Sequence, residues 1–182
     1  SEMCIRDRSR GVRAFLVERG VEASSCTGEC GFVQVDNAIE ALQRLAAYHR
    51  AQFRGTVVGI TGSNGKTVIK EWIAEELPEG MKYYRSPKSY NSQLGVPLSV
   101  LMLEGDEELA IFEAGISKPG EMERLERIIR PDAVIFTSIG DAHQENFINL
   151  EQKCDEKMIL ARSASKIIYH SYYEPLGLSL IH

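Results

Sequence analysis

One stretch limits the possible folds more than any other: the apolar run Val57-Val58-Gly59-Ile60 passes directly into Thr61-Gly62-Ser63-Asn64-Gly65-Lys66-Thr67 and then into a helical pattern. A buried strand that turns through a glycine loop into a helix is followed by a parallel strand, because the helix has to fold back over the sheet. The downstream sequence repeats this alternation. Strands are predicted over residues 56–60, 109–112, 133–136 and 166–169, with helices over 66–77, 119–129 and 150–163. These strands are continuously apolar, as in sheets covered on both faces. The expected class is therefore α/β, a mostly parallel sheet flanked by helices. Upstream, short strands over 12–17 and 32–35 and a helix over 37–52 capped by Asp36 predict a small α/β piece. The expected division is 9–53 for that piece and 54–174 for the larger one.

Composition agrees with a folded chain. Of 182 residues, 43% are hydrophobic and 26% charged, which excludes a disordered tail or a fibre. Lysine and arginine total 21 against 26 acidic residues, a net charge of −5 with no long basic run, so nucleic acid is not an expected partner. Cys4, Cys26, Cys30 and Cys154 fit neither zinc-knuckle nor CxxC spacing, and reduced thiols in a cytoplasmic setting are expected. No apolar stretch reaches the roughly 20 residues of a membrane span, and the first residues lack a signal-peptide core, so no membrane insertion is expected. Residues 1–8 and 175–182 lack periodicity and resemble translated sequencing-adapter read-through, which implies a reading frame cut on both sides.

The glycine loop has the chemistry of a phosphate cradle. Glycines let backbone N–H groups turn inward, a helix N-terminus and a lysine supply positive potential, and a hydroxyl can reach magnesium. Gly62, Gly65, Lys66 and Thr67 provide these parts, although Ile60 stands where the strict pattern has its first glycine. The competing reading is a glycine-rich turn that binds nothing.

Ligands of open parallel sheets lie beyond the carboxyl ends of the strands. Two more strands deliver candidates there: Glu113 follows the run 109–112, and Thr137-Ser138-Ile139-Gly140-Asp141-Ala142-His143 follows 133–136. A carboxylate abutting a buried run is costly unless paired, and a magnesium ion held with Thr67 would neutralise Glu113; a salt-bridged strand end is the alternative. Lys157 is less obvious. At about 100° per residue, Leu150, Cys154, Met158 and Ala161 form one stripe and Lys157 falls within it, pointing inward as a snorkelling side chain or a site residue.

In order along the chain, Thr61 to Thr67, Asn91-Ser92-Gln93-Leu94-Gly95-Val96-Pro97, Glu113-Ala114-Gly115, and His143 with Lys157 fourteen residues on resemble the central domain of the Mur ligases. The wording is most like the D-alanyl-D-alanine-adding MurF branch, and Ser138 to Phe147 is similar to forms fused to an alanine racemase. Residues 9–53 look like the end of that family's UDP-sugar-binding domain. The resemblance implies ATP-dependent amide formation in peptidoglycan synthesis. The γ-phosphate passes to the carboxylate of UDP-MurNAc-tripeptide, and the amine of D-Ala-D-Ala attacks the acyl phosphate. It implies ATP bound by Thr61, Gly62, Ser63, Asn64, Gly65, Lys66 and Thr67, with Asn91 lining the cleft. It also implies one Mg²⁺ on Thr67 and Glu113, and a second on His143 and a Lys157 carbamate. Val68 departs from the second hydroxyl residue common in the family. Another Mur ligase or a folylpolyglutamate synthase shares these motifs, and a non-catalytic nucleotide-binding module is the reading from a different class.

Overall fold

The apolar runs assemble as parallel strands, and the reason is visible in their register. The computed structural model describes residues 7, 9–20, 30–138, 140 and 146–170, in a chain that divides into two units, Ser1–Leu42 and Gln43–His182. In the first unit β1 (Ala14–Glu18) and β2 (Gly31–Val35) pair in parallel, with the Phe15 and Phe32 rings stacked 5.4 Å apart. Helix α1 (Ala38–Arg50) follows, and its cap is Asn37, whose Oδ1 accepts from the Glu40 N–H at 2.9 Å. Asp36 had been expected there. A capping side chain must reach the N–H three residues on, which for a helix starting at Ala38 selects Asn37 and leaves Asp36 to pair with Arg19 at 2.9 Å.

The division between the units falls inside α1, and Ala46 and Phe53 belong to the core of the second unit. That unit contains β3 (Thr56–Thr61), α2 (Lys66–Glu75), β4 (Tyr83–Arg85), α3 (Gly95–Val100) and β5 (Leu109–Ala114). It continues with α4 (Glu121–Ile129), β6 (Ala133–Phe136), α5 (Leu150–Met158) running into a 3₁₀ turn at Ile159–Ala161, and β7 (Lys166–Ile168). The sheet order is β4-β5-β3-β6-β7, and every pairing among the described residues is parallel. The α/β class with a mostly parallel sheet is therefore what the chain adopts.

Side-chain alternation sends the strands' apolar residues to two cores. Val57, Ala110, Phe112, Ala114, Val134 and Phe136 share one with residues of α4 and the 3₁₀ turn, whereas Ile60, Leu109 and Ile111 meet Ile69 and Ile73 of α2. In α4, Met122, Leu125, Ile128 and Ile129 recur at helical spacing and are each at most 2% exposed, and burying each such side chain contributes roughly 1.5–3 kcal/mol. Arg50 closes that helix. Its Nε donates to the Ile129 carbonyl at 2.8 Å and Nη2 to that of Arg130 at 3.0 Å, where the chain turns with φ +43°.

Several elements differ from expectation. Strand β4 and helix α3 were not foreseen. Helix α4 starts at Glu121 because Gly120 enters it at φ +80°, and β5 runs past Phe112 to Ala114, which puts Glu113 inside the strand. Among the described residues no helix is long and apolar enough to cross a membrane.

Candidate functional site

Parallel topology brings the carboxyl ends of β3 and β5 together, with Ile60 beside Glu113 and Thr61 beside Ala114. The Thr61 hydroxyl donates to the Ala114 carbonyl at 2.9 Å and locks the two ends. Beyond them the chain turns at Gly62 with φ +149°, where an added Cβ would lie 1.9 Å from Thr137 Oγ1 and 2.9 Å from the Ser138 carbonyl oxygen. Only glycine fits that close approach. The segment after β6 holds the loop: the Ser63 N–H donates to Ser138 O at 2.5 Å, the Asn64 N–H to Ser138 Oγ at 3.2 Å, and the Gly140 N–H to Ser63 Oγ at 3.0 Å.

Gly65, at φ +81°, leads into α2 without a side-chain cap, and the first helical residue is Lys66. The first N–H groups of a helix have no partner inside it, and a cation there opposes the helix dipole by about 0.3–1 kcal/mol. Both features are reconciled by an anion at the loop. Two lysine ammonium groups already reach one carbonyl: Lys66 Nζ donates to Gly62 O at 2.8 Å and Lys157 Nζ to the same oxygen at 3.2 Å. Lys153, one turn before Lys157, donates to Gly140 O. Lys153 and Lys157 are each 2% exposed. Burial pushes the Lys66 ammonium down, with Glu113 partly opposing. Lys157 falls further, to about 7, chiefly through burial and then through the charges of Lys66 and Lys153.

Glu113 lies on the α2 face of β5, the face shared by Leu109 and Ile111, and is fully buried. Its Oε1 meets Lys70 Nζ at 2.8 Å; its Oε2 accepts from the Thr67 hydroxyl at 3.1 Å and from Asn91 Nδ2 at 3.4 Å. Asn91 gets this close because position 115 is glycine, where a Cβ would come within 3.0 Å of Asn91 Oδ1. The Thr67 hydroxyl and Glu113 Oε2 are hard oxygen donors. Their 3.1 Å separation matches the roughly 2.9 Å between adjacent oxygens of a magnesium octahedron with about 2.0–2.1 Å bonds. The donor set therefore fits a magnesium ion, with the remaining positions left to water or phosphate. Among the described residues no group of three or more His, Cys, Asp or Glu could hold a metal alone.

The sequence reading thus finds Thr61 to Thr67, Asn91, Glu113 and Lys157 at one sheet edge, and His143 lies outside the described residues. Lys70 and Lys153 were missed. Lys70 is fully buried, and a signal existed: Thr67, Lys70 and Ala74 share a helical face, the test that singled out Lys157. Cys30 and Cys154 are free thiols, and burial raises the pKa of Cys154; Cys4 and Cys26 lie outside the described residues.

Comparison with known proteins agrees with this geometry. The Mur ligase middle domain matches residues 60–170. The chain is 37% identical over 157 residues to the UDP-N-acetylmuramoyl-tripeptide–D-alanyl-D-alanine ligase of Borreliella burgdorferi, covering 79% of this chain and 34% of that protein. With the ligase of the same name from Bacillus subtilis it is 33% identical over 148 residues, covering 81% and 32%. The crystal structure of MurF ligase from Thermotoga maritima in complex with ADP superposes with a TM-score of 0.83 at 28% identity, covering 97% of this chain and 41% of that one. The chain spans about a third of the length of the curated relatives it matches. A parallel sheet whose strand ends join a glycine loop, a buried carboxylate and an inward lysine, matched over most of its length by this domain, places the chain in the Mur ligase family.

Proposed function

We infer that this chain forms the nucleotide-binding centre of a cytoplasmic, ATP-dependent ligase that joins D-Ala-D-Ala to UDP-MurNAc-tripeptide. Residues 9–53 belong on this reading to the UDP-sugar-binding domain and 54–174 to the ATP-binding domain. The observation that carries it is the glycine loop opening helix α2 beside a buried Thr67–Glu113 pair.

The division of labour follows from the geometry. The loop backbone from Thr61 to Thr67 binds the phosphates of ATP, and Lys66 leaves the Gly62 carbonyl to meet the β- and γ-phosphates. Thr67 and Glu113 would hold magnesium, which would supply positive charge to offset that building on the transferred phosphoryl group. Asn91, anchored to Glu113, lines the cleft toward the acceptor. The stem-peptide carboxylate takes the γ-phosphoryl group, ADP departs, and the D-Ala-D-Ala amine displaces phosphate to form the amide. The Lys157 amine, with its pKa lowered to about 7, is suited to take up CO₂ as a carbamate with loss of a proton, and that carbamate with His143 would hold a second magnesium.

The test is amide formation by the complete gene product with ATP, D-Ala-D-Ala and either UDP-MurNAc-tripeptide or a folate with glutamate. Product with the UDP-sugar alone supports the assignment. Product with the folate alone transfers the chain to the folylpolyglutamate branch, and ATP binding with neither product makes it a non-catalytic module.

A further inference from the structure

The buried Lys70 is absorbed by none of the roles above. It lies three residues after Thr67 on the same face of α2, and its side chain is fully buried. Lys70 Nζ donates hydrogen bonds to Ser86 O at 2.7 Å and Lys88 O at 2.5 Å and forms an ion pair with Glu113 Oε1 at 2.8 Å, with Glu71 Oε1 farther out at 3.5 Å. Two of those partners are backbone carbonyls, so the ammonium is held by main-chain atoms as well as by Glu113. The carboxylate meets the ammonium through Oε1, and its other oxygen, Oε2, accepts from Thr67 and Asn91.

We propose that Lys70 is a positioning residue that makes Glu113 a one-oxygen ligand and thereby tunes the phosphate-loop metal site to magnesium rather than calcium. Magnesium takes six ligands in a tight octahedron, whereas calcium takes 6–8 and readily accepts both oxygens of one carboxylate. With Oε1 occupied, the two-oxygen mode is closed. Replacing Lys70 by methionine keeps the aliphatic length, frees Oε1 and opens that mode. The inference rests on the nucleotide-and-metal reading of the site.

The test compares wild type, Lys70→Met and Lys70→Arg in the complete gene product. Mn²⁺ uptake in the presence of ADP is followed by electron paramagnetic resonance, and Mg²⁺ and Ca²⁺ serve as competitors. The calcium-to-magnesium affinity ratio should rise about tenfold or more in Lys70→Met and stay within about threefold in Lys70→Arg, which retains a cation against Oε1. A ratio unchanged in Lys70→Met overturns the inference while leaving the nucleotide reading intact. Wild type that takes up no Mn²⁺ with ADP sinks both. If the variants do not fold, a crystal structure of the wild type with ADP and Mg²⁺ decides: Glu113 ligating through one oxygen with Lys70 on the other supports the inference, and a two-oxygen Glu113 ends it.

Discussion

Replacing Lys157 by methionine should stabilise the protein near neutral pH, and the gain should fade as pH rises. The amine is 2% exposed, held by the Gly62 carbonyl at 3.2 Å and faced by the charges of Lys66 and Lys153. Its pKa falls from 10.5 to about 7. Tenfold in protonation corresponds to about 1.4 kcal/mol, so the ammonium costs the folded state roughly 5 kcal/mol. The sign follows from proton counting. Below pH 7 both folded and unfolded chains carry the proton and the cost is full. Between about 7 and 10.5 the unfolded chain binds more protons than the folded one, so stability climbs with pH, and above 10.5 no further gain accrues. Urea unfolding followed by the fluorescence of Trp72, the chain's single tryptophan, should show wild type gaining up to about 1.4 kcal/mol per pH unit in that window. Lys66, also lowered by burial, titrates in both proteins, and because its charge acts on Lys157 the difference between the curves reports Lys157 together with that coupling. The variant should lead by about 3–5 kcal/mol at pH 6.5, less the lost Gly62 hydrogen bond of about 1 kcal/mol. Working under CO₂-free gas keeps the amine unmodified. Parallel curves for the two proteins from pH 6 to 9 would refute the argument.

Gly62→Ala should destabilise the fold by roughly 2 kcal/mol or more and abolish nucleotide binding, because its Cβ collides with Thr137 and Ser138 at φ +149°; calorimetric titration with ATP and a urea series check both. Lys66→Ala should remove ATP turnover in the complete gene product while leaving the unfolding midpoint within about 1 kcal/mol of wild type, since the side chain reaches a loop carbonyl rather than the core. Wild-type turnover in that variant would contradict the phosphate role. Arg50→Met should cost about 3 kcal/mol by leaving the Ile129 and Arg130 carbonyls without their donor, measured as a shift in urea midpoint with unchanged nucleotide affinity.

Where the sequence was legible, a repeated pattern did the work. Long apolar runs announced β3, β5 and β6, and glycines beside a Lys-Thr pair announced the loop. Strand β4 has three residues, Tyr83–Arg85, two of them exposed, so it carries no periodicity and exists because β5 offers it an edge. Helix α3 spans six residues and contains Pro97, too short for a repeating face. In α5 the expected helix to residue 163 tightens into 3₁₀ geometry after Met158, a change in hydrogen-bond pattern that leaves the apolar spacing intact. Lys157 was found because a lysine interrupted an apolar stripe. Lys70 stood in a stripe too, but its partners Ser86, Lys88 and Glu113 come from distant segments, and no local pattern announces three acceptors meeting one ammonium.

The central placement of β3 sets a timetable for the growing chain. Its neighbours β5 and β6 are both made later, with Thr56 waiting for Leu109 and Thr61 for Phe136. At synthesis rates of about 5–20 residues per second, the 75 residues between Thr61 and Phe136 take roughly 4–15 s to appear. Both edges of β3 are open until β5 is made, one stays open until β6 is made, and throughout that interval the loop lacks the Thr137, Ser138 and Gly140 contacts that shape it. Ribosomes stalled before residue 133 should therefore display chains that hold no nucleotide and are prone to strand-edge association, and stalling well beyond residue 140 should relieve both defects together.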